Sequence, residues 1–446
     1  GMAGGIEEAL KYVGSSSAPA PLLLLPVEDL ISHLHKCREA KDSSLAHHLH
    51  THICSLGLEA HGDVGNYIVP MFVECGCLLP ASTAFSKLAL KNVYSWTSLM
   101  LGFVETERCH VSLRLYDQMR KERTHPSSYT LLAAVSACRG SKQVEKGHAI
   151  HVDVVLMGYE TCVYVGSGLV DMYSKCGFLN EARHVHNKLV HRNLVSWNAL
   201  ITGYADHGAY HDVMECLEQM KSDCIPPDCV TYVSIVKACG SVYAIDKGQE
   251  NHIQITKDGI EENPIIGNIL VDMYARCGAH EKAQEVFDKL PFHDVVSWTT
   301  LISGYVQLGS DDLAIDLFNK MVCEGIEPNL VTFTVLLNGF SHSGLLDSAR
   351  LYGEIMSRSY GMIPTLEQNT CMVDVFARAG HFDEALAIIE KMPTSDYLPL
   401  WTALLSACQK WGNKKLALLA FEHALQLDEN YASSYIGMSN VYSSET

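Results

Sequence analysis

The residues with the widest chemical reach in this 446-residue chain are its 16 cysteines and 22 histidines. A zinc centre that deaminates nucleobases needs an H-x-E motif and a P-C-x-x-C pair: the metal activates a water and the Glu moves protons. No histidine here is followed two residues later by Glu, and no two cysteines lie three apart. The nearest imitation is Cys75-Gly76-Cys77. The phosphate-cradling pattern G-x-x-x-x-G-K is missing as well. His33, His35, His47, His48, His50 and His52 cluster, and His48 with His52 could share a helix face as metal ligands do. The cluster reads as a solvated face. No catalysis, metal or cofactor is therefore expected of the chain.

The cysteines carry a different message. Cys37, Cys138 and Cys239 are 101 residues apart, and so are Cys75, Cys176 and Cys277. Equivalent thiols three stacked units apart lie about 25–30 Å from each other if the units pack at about 8–10 Å, whereas a disulfide needs Cα atoms within about 7 Å. They read as small buried thiols in a reducing compartment. Trp96, Trp197 and Trp298 keep the 101-residue offset, and Trp401 follows after 103. "DMYSKCG" (171–177) and "DMYARCG" (272–278) keep it too.

Elements that would position such residues follow from periodicity. Trp298, Leu301, Ile302 and Tyr305 form the i, i+3, i+4, i+7 stripe of an amphipathic helix, which Gly309 breaks. Ala314, Leu317, Phe318 and Met321 repeat the stripe, and Gly325 with Pro328 ends it. One such hairpin cannot bury its apolar face alone, so neighbours must stack. The expected fold is all-α, a right-handed α-solenoid superhelix of helix-turn-helix repeats. After a flanking segment 1–26, the units are 27–61, 62–92, 93–127, 128–162, 163–193, 194–228, 229–263, 264–294, 295–329, 330–365 and 366–397. A divergent hairpin at 398–431 and a shortened one at 432–446 follow.

The net charge of −18 argues against nonspecific nucleic-acid binding, which relies on Lys and Arg neutralising phosphates. Local sign can differ from net sign. Lys175, Arg276 and Arg378 all fall at position 13 of the short units and form a candidate phosphate-facing row, broken by Glu74. Acid in second helices, as at Asp311, Asp312, Asp316, Asp383 and Glu384, would sit on the convex face. The apolar run Leu22–Leu25 falls far short of the ~20 residues that span a bilayer, so no membrane partner is expected. Residues 1–20 hold no Arg and resemble neither a secretory nor a transit signal.

"VTFTVLLNGFSHSGLLDSARLYGEIM", "VSWNALITGYADHG" and "GIEPN" resemble pentatricopeptide repeats, helical hairpins that bind single-stranded RNA one base per repeat. The alternation of 35-, 35- and 31-residue units resembles the subclass built from P, L and S motifs, and 398–431 and 432–446 resemble its C-terminal extension motifs E1 and E2. The resemblance implies an RNA-binding adaptor of a mitochondrion or chloroplast that selects a cytidine in an organellar transcript for conversion to uridine. A deaminase or editing cofactor would act in trans through 398–446. A factor for splicing, RNA stability or translation is the alternative, and a protein-interaction solenoid is the alternative of another class.

In that family the fifth and last residues of a repeat specify the base. Carried over, Asn66 with Asn92 implies a pyrimidine, Thr97 with Ser127 at best a purine, and Ser167 with Asn193 adenine. Asn198 with Asp228 and Asn268 with Asp294 imply uracil, and Thr299 with Asn329 adenine. Leu132/Cys162, Val233/Asn263, Thr334/Thr365 and Thr370/Tyr397 depart from the code. The second residue would pack on the base face: Tyr94, Tyr164, Val195, Ile265, Val296 and Val331. The fifth residue is expected beside a buried aromatic at position four.

Overall fold

The computed structural model describes residues 27–60, 62–392 and 397–443; the flanking segment 1–26 lies outside the described residues. Among these residues the chain is helical throughout, with 25 α-helices and no strand. First helices begin at Val27, Gly62, Val93, Ser128, Val163, Leu194, Cys229, Pro264, Val295, Leu330, Leu366, Leu398 and Ala432. All but the last are followed, after two or three residues, by a second helix running back. Side chains start many of them: Asn92 Oδ1 accepts the Ser95 amide, and Asp294 Oδ1 that of Ser297, both at 2.8 Å. These contacts satisfy amide groups that the helix itself leaves open. Between the helices of the "KCG" hairpin, Gly177 takes φ +83°, a conformation that a side chain would strain.

The described residues form two compact units, divided between Leu200 and Ile201. Within each, first helices pack on the first helices of neighbouring hairpins, and second helices cover them as an outer layer. Trp96 and Trp197 in one unit and Trp298 in the other are fully buried. Each meets, edge-on, a ring from the preceding second helix: Phe85 at 4.6 Å, His186 at 4.2 Å and Phe287 at 4.8 Å.

The 31-residue hairpins solve the same packing problem differently. Their second helices, Leu78–Lys87, Leu179–Lys188 and His280–Lys289, have 10 residues where the longer hairpins mostly have 13. The early stop lets Leu88, Leu189 and Leu290 fold back onto the first helix. A Cβ at Gly65, Gly166 or Gly267 would come within 2.4, 2.3 or 2.2 Å of those leucines. Position four in these hairpins is therefore a glycine under a leucine, and the expectation of an aromatic there is corrected. All 16 cysteines are free thiols, with Cys37, Cys138 and Cys239 fully buried. Burial pushes the thiols of Cys37 and Cys138 up to about 12 and that of Cys239 to about 11, so they remain protonated. No described helix is long and apolar enough to cross a membrane.

Candidate nucleic-acid interface

In the eight hairpins between 93 and 365 the second residue, in the first turn of the first helix, is apolar yet exposed. In residues 1–200 these are Tyr94, Tyr129, Tyr164 and Val195; in residues 201–446 they are Val230, Ile265, Val296 and Val331. Exposures of 40% to 73% at one register position mark a face kept clear of the core. Tyr129 and Val230 were missed by sequence reasoning, although the same position count would have found them.

The fifth residues lie one turn further in. Asn66, Thr97, Ser167 and Thr299 are buried, while Asn198, Asn268, Thr334 and Thr370 are half-buried. The hydroxyls of Thr97, Ser167, Thr334 and Thr370 donate to the carbonyl four residues back, at 2.7–2.8 Å. Asn268 is different: its Oδ1 is buried without a hydrogen-bond partner. A buried acceptor left open costs about 1–3 kcal/mol, so this atom is poised to accept from a ligand.

The last residue of a hairpin caps the helix that follows. Asn92, Ser127, Asn193, Asp228, Asp294 and Asn329 all do so through a side-chain oxygen. In several hairpins it is wired to the fifth. Asn66 Oδ1 accepts the Asn92 amide at 3.0 Å. The Thr299 and Thr332 hydroxyls are 2.8 Å apart, and Thr332 bonds Asn329. Thr97, Thr130 and Ser127 repeat that chain, with hydroxyls 2.7 and 3.0 Å apart. At Thr334, Gln368 replaces the threonine, donating to the Thr334 hydroxyl at 3.0 Å and accepting from the Thr365 amide at 2.8 Å. The third residue of the next hairpin is thus the connector, a role sequence reasoning did not assign. Its signal was the recurring Ser or Thr in Ser95, Thr130, Ser196, Thr231, Ser297 and Thr332.

The cations proposed for phosphates have carboxylate company. Arg276 Nε lies 2.8 Å from Asp272, and Arg378 Nε 2.8 Å from Asp374, each one turn back on the same helix. Arg139 pairs with Asp171 at 2.5 Å and Lys237 with Asp206 at 2.7 Å, in these cases between neighbouring first helices. Lys175 is exposed at the end of its helix. First helices thus carry carboxylates beside their cations, and the first-helix face is close to locally neutral. Thr370 and Arg378 share one open groove of about 310 Å³ with Asn338, Asp374, Pro399 and Thr402.

Stacked two-helix hairpins that repeat a polar pair beside an exposed apolar residue define an α-solenoid of the helical-repeat class. Models of the PPR repeat family match residues 192–241 and 293–342, and the PPR repeat matches 94–124, 167–194, 268–294, 331–359 and 370–397. A pentatricopeptide repeat-containing protein of Arabidopsis thaliana is 30% identical over 419 residues, covering 93% of this chain and 68% of its own. The chain belongs to the pentatricopeptide repeat family. A relative from the same plant named as mitochondrial is 32% identical over 397 residues, covering 89% of this chain and 64% of its own length. One named as chloroplastic is 30% identical over 455 residues, covering 98% and 50%. The chain thus spans roughly half to two thirds of these relatives. Among solved structures, maize PPR10 in complex with an 18-nt psaJ RNA element shares the fold at a TM-score of 0.53, with 15% identity, over 95% of this chain and 71% of that one.

Proposed function

We propose that the chain binds single-stranded RNA sequence-specifically, one base per hairpin, and selects a site for C-to-U editing in an organellar transcript. The observation that carries this reading is the recurrence of an exposed apolar second residue beside polar fifth and last residues, which hydrogen bonds link in the hairpins at 93–127, 295–329 and 330–365. A tyrosine at the second position can stack on a base and a valine or isoleucine can pack on its face, and polar groups beside it can read its edge. A protein-binding surface would not need the same three positions in successive hairpins. PPR10, solved with its RNA element, supports the RNA reading. Relatives named mitochondrial and chloroplastic support an organellar setting. The editing role rests on the resemblance of 398–431 and 432–446 to extension motifs, the surface proposed to recruit a deaminase in trans.

The preferred RNA, 5′ to 3′ from the hairpin at 62–92, is roughly Y-R-n-A-U-n-U-A-n-n, with the edited C four nucleotides beyond the hairpin at 366–397. Fluorescence anisotropy should show this oligonucleotide binding at least tenfold tighter than a scrambled one of equal composition. Equal affinity for the two would overturn the base assignments, and no binding of either would overturn the function.

Neutralised cations add a second expectation. Asp272→Asn with Asp374→Asn releases Arg276 and Arg378 to phosphate oxygens. RNA binding should tighten several-fold, and the slope of log K against log salt should steepen by up to about 0.7 for each phosphate newly engaged. Affinity unchanged at every salt concentration would take both arginines off the RNA path.

A further inference from the structure

The helix Ser43–Ser55 and the turn after it gather His50, Cys54 and Glu59. His50 Nε2 lies 3.5 Å from Cys54 Sγ and 3.4 Å from Glu59 Oε1. The three ligand atoms all fall within 4.8 Å of one another. A tetrahedral ion with bonds of about 2.3 Å to sulfur and about 2.0–2.2 Å to nitrogen and oxygen has ligand–ligand edges near 3.3–3.6 Å. The His50–Cys54 and His50–Glu59 edges match these values. His48 and His52, the pair singled out from the sequence, are not part of the group.

Internal repetition supplies the comparison. At offsets of 101 residues, His151 and His252 follow His50, Glu160 and Glu261 follow Glu59, and Lys188 and Lys289 follow Lys87. The scaffold itself is structural: Lys188 meets Glu160 at 2.6 Å, and His252 lies 3.7 Å from Glu261. In those copies the imidazole Nδ1 pairs with a tyrosine hydroxyl, Tyr173 at 3.0 Å and Tyr274 at 2.9 Å. Val155 and Thr256 stand where the first copy has Cys54. In the first copy Phe72 replaces the tyrosine, meeting His50 edge-on at 5.0 Å, and the thiol is added. One hairpin has thus exchanged a neutral hydrogen bond for a soft ligand at the same imidazole.

We propose that His50, Cys54 and Glu59 form a site for a borderline divalent cation of the zinc type, with one position left to water. Binding replaces the Cys54 S–H proton, which leaves to solvent, by a metal–sulfur bond; thiolate and carboxylate then balance the two positive charges. Without metal, burial and the Glu59 carboxylate raise the thiol's pKa, so the proton stays on sulfur. Lys87 Nζ, 2.7 Å from Glu59 Oε1, competes for the carboxylate. The ion would pin the turn at 56–59 to its helix.

Cobalt(II) is the probe, added to the chelator-stripped, reduced full chain. The expected result is one equivalent bound, with a thiolate-to-cobalt charge-transfer band and the visible bands of a tetrahedral ion. Cys54→Ala and His50→Ala should each abolish the band, while Cys75→Ala with Cys77→Ala should leave it. Val155→Cys, with Tyr173→Phe, rebuilds the arrangement in the second copy and should raise the stoichiometry to two. Lys87→Gln should tighten binding. Absence of the thiolate band, or its survival in Cys54→Ala, would overturn the site; unchanged affinity in Lys87→Gln would remove Glu59 from it.

Discussion

Exchanging Thr299 for Asn and Asn329 for Asp should turn the hairpin at 295–329, proposed to read adenine, into a reader of uracil. The pair copies Asn268 and Asp294, where the amide oxygen at position five is buried without a partner. In the parent, the Thr299 hydroxyl is held 2.8 Å from that of Thr332, and Asn329 Oδ1 accepts the Thr332 amide at 3.0 Å. Asp caps a helix as well as Asn does, so the new last residue keeps that bond and the helix start. What changes is the edge offered to the base: an amide and a carboxylate in place of a hydroxyl and an amide. A matched base contact discriminates by about 1–3 kcal/mol, roughly 5- to 150-fold. Two oligonucleotides differing only in A or U opposite this hairpin should therefore reverse their order of affinity between parent and variant. Equal weakening of both would show that the pair serves only the cap and the hairpin junction. A cap-deleting control, Asn329→Ala, should cost stability by about 1 kcal/mol.

The helical fold was legible because burial imposes periodicity. Trp298, Leu301 and Ile302 must face one way along a helix, and the structure buries all three. The exposed second residues were legible only through family resemblance: a valine at 296 looks like core to any hydrophobicity count, yet it is 53% exposed. Two further features depend on where neighbouring elements end. Gly267 can be read as space for a base or as helix flexibility; only the 10-residue second helix shows Leu290 occupying the space. His50 and Cys54 are one turn apart and were readable as a pair, but Glu59 joins them from a turn whose path no periodicity dictates. Charge was misjudged for a simpler reason. Asp272 and Arg276, four apart on one helix, sit in the ideal register for an ion pair, and counting cations alone hid the partner.

Truncating Trp298 to Ala should be the most damaging single change in residues 201–446, at about 3–5 kcal/mol. The indole is fully buried, edge-on to Phe287 at 4.8 Å, with the Lys320 ammonium 5.7 Å above its ring. It therefore joins three helices: the second helix of the preceding hairpin, its own first helix, and the second helix that carries Lys320. Stacked repeats gain stability from interfaces between neighbours, so the loss should be local before it is global. Hydrogen exchange is the suitable measurement, because a long repeat array need not unfold in one step. Protection should fall across His280–Lys289 and Asp311–Cys323, while Leu398–Trp411 keeps its protection. Trp298→Phe separates packing from polarity. The indole Nε1 is buried with no hydrogen-bond partner, a donor whose desolvation costs about 1–3 kcal/mol. Phenylalanine keeps the edge-on contact with Phe287 and removes that donor, so its cost should be less than half that of Ala. If Phe and Ala were equally damaging, the indole N–H would have to be satisfied in solution, and packing against Phe287 would not be what holds this junction.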